Sequence, residues 1–308
     1  LNMYDGLDDH YRIYTELGTD GKFCLYLFCI DPSRCLNACL KQGVAGIFFS
    51  ATMIPVMYYK RLLSGNTEDF AIYANSPFDS RKRQILIAKD VSSRYTRRNR
   101  AEFGKVADYI TKLAHSHTGN YMVFFPSYNY MEAVKRILDE HYDGTFRWQM
   151  QTNHMTEEER EGFLEQFEGK KQESFVGLCV LGGIFSEGID LKAERLEGTI
   201  IVGTGLPMVC SEQEILMQYF DDHGKNGYDY AYQYPGMNKV LQAAGRVIRT
   251  AEDRGVILLL DDRFLRREIQ ELFPREWTEY GLVTRETVDG WLRNFWEKVK
   301  KGDATASP

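Results

Sequence analysis

The sequence predicts an α/β fold in which a mainly parallel sheet, covered by helices on both faces, follows a partial α/β domain. Three observations favour this prediction. From residue 121 onward, apolar runs of strand length alternate with amphipathic stretches of helix length. The longest apolar runs, such as residues 255–260, are far too short to span a membrane, so no membrane partner is expected. Hydrophobic residues make up 44% and charged residues 27% of the 308 residues, which excludes a wholly disordered or collagen-like chain.

The region before residue 75 is predicted to be the partial domain. Gly18 and Gly21 lie in a turn between two strand-like runs, which predicts a hairpin. Residues 46–49 are mostly apolar and predict a buried strand. In order, the elements expected here are strands over 11–17 and 23–30, a helix over 33–40, a strand over 46–49, and a helix around 58–63 that Gly65 ends.

Residues 75–100 differ in character from the sequence before them. The stretch Asn75-Ser76-Pro77 disfavours regular structure, and eight basic residues against one acid, Asp90, follow between positions 81 and 100. We therefore place a domain boundary at residue 75. The predicted domains are an incomplete one over 1–74, a complete one over 75–299, and a disordered tail over 300–308.

Strands and helices alternate in the second domain. Met131, Val134 and Ile137 share one face of a predicted helix, and Thr156 with Glu159 forms a capping box at the start of another. The predicted strands cover 121–125, 146–151, 175–181, 199–202 and 256–260, and the predicted helices cover 130–140, 156–167, 212–220 and 237–249. Parallel sheets of this kind bind ligands at the carboxyl ends of their strands, where we expect the functional site.

Charge and cysteine content bound the possible partners. With 38 basic and 44 acidic side chains the net charge is −6, which by itself argues against nucleic-acid binding, because a basic excess is the usual footprint. Six cysteines are too few for a disulfide scaffold and indicate a reducing compartment, so the protein is expected to be cytoplasmic. Four of them lie within residues 24–39, but their spacing fits no common zinc or iron–sulfur site. We predict no metal in this chain.

The first candidate motif is the stretch from 242 to 249. Gln242, Arg246 and Arg249 are spaced to share one helical face, where they could clamp a polyphosphate. Gly245 is costly in the middle of a helix, which suggests close approach by another backbone. A solvated basic face, paired with nearby acids, explains the same pattern about equally well.

The second candidate motif follows the predicted strand 175–181. Gly183 and Gly188 lie in a glycine-rich loop whose backbone N–H groups could approach a phosphate. Glu187 precedes the second of these glycines, and Asp190 could accept a hydrogen bond from a ribose hydroxyl or orient an arginine. An ordinary connection between elements remains the alternative.

Two shorter motifs complete the set. Ser127 and Tyr128 follow a strand at the start of a helix, where the serine is expected to cap the helix and the tyrosine could stack a base. The triplet Ser50-Ala51-Thr52 has no specificity of its own. Together and in this order, however, the four motifs are hard to obtain by chance.

Over roughly residues 20–275 the sequence resembles the carboxyl-terminal half of a superfamily 2 DNA helicase of the XPD/DinG family. The resemblance implies a RecA-like second motor domain preceded by the end of the first. It also implies the following roles: Ser50, Ala51 and Thr52 couple the nucleotide site to the DNA path; Ser127, Tyr128 and Gly183 contact single-stranded DNA; Glu187, Gly188, Asp190 and Gly245 belong to the nucleotide site; and Gln242, Arg246 and Arg249 are catalytic, with the arginines as fingers to the γ-phosphate. Arg94 and Arg97 line the DNA path or a hinge, unless they form a solvated basic segment.

A P-loop is missing from the sequence. The nearest string, residues 18–23, has neither the spacing nor the hydroxyl that the motif requires. The resemblance therefore implies that a missing amino-terminal motor domain binds ATP and Mg²⁺, and that this chain alone is inactive. Because the chain begins with Leu1, we expect it to be a piece of a longer protein. Any iron–sulfur cluster of the family would lie upstream.

Two other functions remain open at this stage. The chain could be the helicase-like part of a DinG-type exonuclease, or a non-catalytic DNA-binding module. The exonuclease would need a nuclease domain upstream of this chain. A non-catalytic module would have no use for the phosphate clamp of Gln242, Arg246 and Arg249, so the presence of these residues argues against it. Self-association of the fragment is also expected, because an incomplete domain exposes apolar surface.

Overall fold

The computed structural model describes residues 7–18, 20–141, 144–168, 172–185 and 196–306. It divides the chain into two compact units. Unit 1 comprises Leu1–Ala74 with Pro207–Pro235, and unit 2 comprises Asn75–Leu206 with Gly236–Pro308. The segment 207–235, which we predicted within the second domain, therefore groups with the first unit.

The strands and helices are numbered in chain order. The strands are β1 (Tyr11–Leu17), β2 (Phe23–Cys29), β3 (Arg83–Ala88), β4 (Asn120–Phe125), β5 (Phe146–Met150), β6 (Ser174–Val180), β7 (Leu196–Val202), β8 (Gly255–Leu260) and β9 (Gly281–Val283). The helices are α1 (Ser33–Leu40), α2 (Val56–Leu63), α3 (Arg100–Ser116), α4 (Tyr128–His141), α5 (Glu157–Glu165), α6 (Ser211–Asp222), α7 (Tyr234–Ala244), α8 (Arg267–Gln270) and α9 (Val288–Ala306). None of the described helices is long and apolar enough to cross a membrane.

Unit 1 contains the predicted hairpin and a small aromatic core. β1 and β2 pair antiparallel, and Gly21 adopts a φ of +79° in the turn that joins them. Tyr230 stacks on Phe220 with ring centroids 4.1 Å apart, and Tyr58 contacts Tyr230 edge-on. The tyrosine-rich run near residue 230 therefore packs within this core, which also contains the buried side chain of Ile30.

The predicted buried strand over residues 46–49 is wrong. These residues form no strand, and Ile47 and Phe49 are 85% and 90% exposed. A strand requires a neighbour for its backbone hydrogen bonds, and the described part of the chain supplies none to these residues. Phe70 and Ile72 are equally exposed, so unit 1 presents several large apolar side chains to solvent.

Unit 2 is built on a seven-stranded parallel sheet of order β5-β6-β4-β7-β8-β3-β9. Every residue of β4 is buried. Since alternate residues of a strand point to opposite faces, both faces of the sheet are covered. On one face β4 shares a core with α3, α4 and α9. On β6, a Cβ at Gly177 would lie 3.0 Å from Phe163 of α5.

The predicted alternation of strands and helices in this unit is confirmed, with three corrections. β3 lies inside the basic segment, where the sequence predicted no strand, yet residues 85–88 are buried in the sheet. The helix predicted over 237–249 ends at Ala244. The described residues after position 299, where a disordered tail was predicted over 300–308, instead continue α9 to Ala306.

Candidate functional site

All seven strands of unit 2 run parallel, so the loops after their carboxyl ends share one edge of the sheet. Two groups of interacting side chains lie at this edge. The Asp261 network consists of Ser93, Gly203, Asp261 and Arg263, which follow β3, β7 and β8. The Gln151 cluster consists of Tyr128, Gln151, Gly182, Gly183 and Lys239, contributed by α4, α7 and the loops after β5 and β6.

Asp261 is the centre of the first group and is completely buried. The backbone N–H and hydroxyl of Ser93 donate to its Oδ2 at 2.9 and 2.6 Å. Arg263 donates through Nε to Oδ1 at 2.8 Å and through Nη2 to Oδ2 at 2.9 Å, and the same Nη2 also donates to Ser93 Oγ at 2.8 Å. This bidentate pair and the serine together link the ends of β3 and β8.

The charge of Asp261 is matched within the protein. Burial by itself raises the pKa of the Asp261 carboxyl, but the hydrogen bonds and charge of Arg263 outweigh burial and hold the pKa below its usual value. Gly203, with φ of +82°, leaves room for the network: a Cβ at this position would lie 2.5 Å from Ser93 Oγ. Asp261 is therefore ionised and fully partnered at neutral pH.

The basic segment after β3 is held by acids of unit 2. Arg94 pairs with Asp262 at 3.3 Å, and Arg97 pairs with Glu102 at 3.3 Å. The side chains of Arg94 and Arg97 nevertheless remain 39% and 56% exposed. Each guanidinium therefore has an acidic neighbour and remains accessible to an anion in solvent.

Gln151 links the carboxyl ends of three strands in the second group. Its Nε2 donates to the Tyr128 hydroxyl at 2.7 Å, and its Oε1 accepts from the backbone N–H of Val180 at 3.0 Å. Gln151 is 2% exposed, and a Cβ at Gly183 would lie 3.4 Å from its Nε2. We did not predict Gln151 as a site residue, although its position directly after a strand is a usable signal.

Ser127 performs the capping role that the sequence favours. Its hydroxyl accepts a hydrogen bond from the backbone N–H of Tyr130 at 3.3 Å, near the start of α4. Tyr128 is partly exposed, and its pKa is raised by partial burial. Its hydroxyl is therefore protonated at neutral pH, and its ring packs partly against the core at this edge of the sheet.

The predicted helical stripe of Gln242, Arg246 and Arg249 does not form. α7 ends at Ala244, and its last turn tightens, since the N–H groups of Arg246 and Val247 bond three residues back at 3.3 Å. Arg246 is 9% exposed. The backbone N–H of Arg249 donates to an Asp253 carboxylate oxygen at 2.9 Å. The two arginines therefore lie on the irregular segment beyond the helix.

Gly245 and Gln242 also differ from their predicted settings. Gly245 is exposed at the end of α7, so it is not the mid-helix glycine that the sequence suggested. A Cβ there would meet only carbonyl oxygens of the preceding turn, the nearer at 3.3 Å. Gln242 lies on α7, and its Oε1 is buried without a hydrogen-bond donor among the described residues.

The remaining predicted site residues fall elsewhere. Glu187, Gly188 and Asp190 lie outside the described residues. The triplet 50–52 lies in unit 1 as a local turn, in which the backbone N–H of Thr52 donates to Ser50 Oγ at 3.2 Å and Ala51 is exposed. In the described ranges no three His, Cys, Asp or Glu side chains are arranged to hold a metal ion.

The seven-stranded parallel sheet with helices on both faces has the architecture of a RecA-like domain. The sequence matches the model of the helicase C-terminal domain family over residues 110–280. This match covers more than half of the chain, and the chain belongs to this family.

Curated relatives and solved structures agree with this assignment. A probable ATP-dependent helicase of Methanocaldococcus jannaschii is 27% identical over 265 residues, and the aligned part covers 83% of this chain and 38% of the relative. The XPD/RAD3 helicase subunit of the general transcription and DNA repair factor IIH of Saccharomyces cerevisiae is 26% identical and covers 82% and 34%, respectively. A solved apo XPD structure superimposes with a TM-score of 0.66 over 89% of this chain and 54% of that structure, at 20% identity. The chain thus spans little more than a third of these curated relatives.

Proposed function

We propose that this chain is the carboxyl-terminal motor half of an ATP-dependent DNA helicase. The observation that carries the proposal is the carboxyl edge of the unit 2 sheet, where arginines, partly exposed hydroxyl side chains and glycine loops lie within or beside the span that matches the helicase family. The relatives' names include ATP-dependent helicases and a helicase subunit of a DNA repair factor, which supports the same activity.

In this proposal ATP binds on an amino-terminal motor domain that lies outside the chain. Arg246 and Arg249 then approach the γ-phosphate when the two motor domains close, and their charges stabilise the transition state. The free Oε1 of Gln242 supports a role at the same interface, because a buried acceptor requires a donor that the described residues do not supply. Glu187, Gly188, Asp190 and Gly245 complete the proposed nucleotide site.

The ligands of Mg²⁺ are assigned to the same amino-terminal domain. The described residues contain no group of three His, Cys, Asp or Glu side chains arranged to hold a metal ion. Since Mg²⁺ beside a nucleotide is commonly held by one or two carboxylates and the phosphates, we place those carboxylates on the domain that binds ATP. Any iron–sulfur cluster is likewise assigned to the upstream part of the protein. What this chain contributes is positive charge and the closure of its own domain.

Single-stranded DNA is proposed to cross the carboxyl edge of the sheet and to be held by contacts to its sugar–phosphate backbone. Ser127, Tyr128 and Gly183 lie there, while Arg94 and Arg97 extend from the segment after β3. Such contacts recognise phosphate and the faces of bases, so binding is expected to depend little on sequence. Residues 50–52 would couple this path to the nucleotide.

The exposed apolar side chains of unit 1 support two further parts of the proposal. Ile47, Phe49, Phe70 and Ile72 would be covered by the rest of the first motor domain in the full-length protein. The isolated chain would instead self-associate through them, and it would not hydrolyse ATP. The cytoplasmic location remains part of this proposal.

The arginine finger role is tested in the full-length protein by Arg249→Ala. Loss of a finger is expected to lower the rate of ATP turnover about 10³-fold while single-stranded DNA affinity stays within about twofold. Arg267→Ala serves as the control, because the Arg267 side chain is 91% exposed and its ion pair is with Glu271, the residue that follows its own helix. Unchanged turnover in Arg249→Ala would rule out the finger role. DNA binding by the wild-type protein that never responds to ATP would favour the non-catalytic module.

A further inference from the structure

We propose that Lys239 binds a backbone phosphate of single-stranded nucleic acid at the carboxyl ends of β4, β5 and β6. The inference rests on the proposed function and adds to it a residue outside the four sequence motifs. Three observations carry it: the position of the lysine over a glycine loop, the absence of a counterion for it among the described residues, and the neighbours that lie along the same edge.

The Lys239 side chain extends from α7 over the loop that follows β6. A Cβ at Gly182 would lie 2.9 Å from both Cδ and Cε of Lys239 and 3.2 Å from its Nζ. Gly182 also has φ of +75°, a conformation that L side chains rarely adopt. Glycine at this position therefore leaves the space that the lysine occupies, and the ammonium group lies beside the loop.

Lys239 differs in its electrostatics from the other cations of this edge. Arg94, Arg97 and Arg263 each pair with a carboxylate of unit 2. Lys239 is partly buried, and it forms no hydrogen bond or ion pair with a described residue. An ammonium that pairs with no carboxylate among the described residues is a favourable site for an anion, because a phosphate oxygen can accept a charge-assisted hydrogen bond from it.

The neighbours of Lys239 indicate that this anion belongs to a nucleic-acid strand. Gly182 is followed by Gly183, which packs against Gln151, and Gln151 in turn donates to the Tyr128 hydroxyl. An ammonium group and a partly exposed aromatic side chain along one edge are the types of group that bind the phosphates and bases of single strands. Lys239 also lies five residues before the end of α7, about 7.5 Å along its axis, whereas the arginines assigned to ATP follow the helix.

The test measures binding of a 20-nucleotide oligothymidylate to the full-length protein as a function of KCl concentration. Lys239→Ala is expected to weaken binding about tenfold at low salt, the loss of one charge-assisted contact. It should also reduce the slope of log K against log salt by about 0.7, the contribution of one phosphate contact on a single strand. Lys239→Arg should restore the slope, since guanidinium also binds phosphate.

Lys298→Ala is the matched control, because Lys298 is exposed on α9 and forms no ion pair with a described residue, so it removes the same charge elsewhere. A slope that Lys239→Ala leaves unchanged, while the wild type binds and Tyr128→Ala weakens binding, would overturn the Lys239 assignment and leave the helicase proposal standing. A raised KM for ATP with unchanged DNA binding would also overturn it, by placing the ammonium at the nucleotide. A wild-type protein that binds no single strand would overturn both.

Discussion

The Asp261 network and the Gln151 cluster lie along the same edge of one sheet, and both use a glycine with positive φ to admit a neighbouring side chain. At Gly203 the neighbour is Ser93, and at Gly182 it is Lys239. They differ in how completely their charges are matched. Asp261 receives four hydrogen bonds from the side chain of Arg263 and from Ser93, whereas Lys239 has no partner among the described residues.

This difference separates a structural role from a binding role. A buried charge that is fully partnered contributes rigidity to the loops it joins and has no capacity left for a ligand. A cation without a partner has that capacity, and little of the fold depends on it. The Asp261 network is therefore expected to fix the position of the basic segment after β3. The Gln151 cluster is instead expected to bind a phosphate of single-stranded nucleic acid.

The largest effect in this comparison is expected from Asp261→Asn. Removing the charge takes the Asp261 carboxylate away from Arg263, whose side chain is only 17% exposed, and this should lower the free energy of unfolding by about 3 kcal/mol at pH 7. Because the folded-state pKa of Asp261 is depressed, its contribution is present above the unfolded pKa and is lost as pH falls through the folded pKa. Urea unfolding from pH 7 to pH 3 should therefore show the difference between wild type and variant shrinking below about pH 4. A difference independent of pH would contradict the ionised assignment.

The glycines provide an intermediate and directly matched test. Alanine at positive φ costs about 1–2 kcal/mol at either position. Gly203→Ala should cost more than Gly182→Ala, because its Cβ meets Ser93 Oγ, which the network holds, while the Lys239 side chain can rotate away. Thermal unfolding should rank the two variants in this order, and single-strand binding should fall only in Gly182→Ala. Equal stability of the two variants would contradict the prediction that Ser93 is fixed beside Gly203 while Lys239 is free to move beside Gly182.

The smallest effect is expected from Asp262→Asn, the residue next to Asp261. Asp262 and its partner Arg94 have side chains that are 32% and 39% exposed. Solvent screens such a pair, so the free energy of unfolding should fall by about 0.5 kcal/mol. Chemical denaturation of Asp262→Asn and Asp261→Asn under the same conditions compares the unfolding free energies that the two neighbouring carboxylates contribute. A loss as large as that of Asp261→Asn would show that burial does not decide their roles.

The elements of unit 2 could be predicted where apolar pattern and flanking residues agree. β4, β6 and β8 are continuous apolar runs, and the Thr156–Glu159 capping box forms as expected at α5. β3 could not be predicted in the same way, because arginines and lysines flank its short apolar stretch. The end of α7 was also predicted wrongly. The apolar periodicity continues past Gly245, whereas the helix ends at Ala244, directly before this glycine.

The candidate site shows a similar division. Ser127 and Tyr128 were predicted because they follow a recognisable strand, and the structure brings them to the expected edge. Gln151, Lys239 and Asp261 were not predicted as site residues, because each is an ordinary residue in its own segment. Their interactions exist only when several strands are aligned.

The sequence by itself determined the fold class, the family and the order of the motifs. These depend on the periodicity of hydrophobic residues and on the spacing of residues within short segments, both of which can be read from the sequence. The tertiary structure alone decided which charges are matched. Ser93 and Asp261 are 168 positions apart, and only the parallel alignment of β3 and β8 brings their side chains to 2.6 Å. The same fold places Lys239 beside Gly182, where it has no partner among the described residues. Burial and pairing depend on distances that no local pattern encodes.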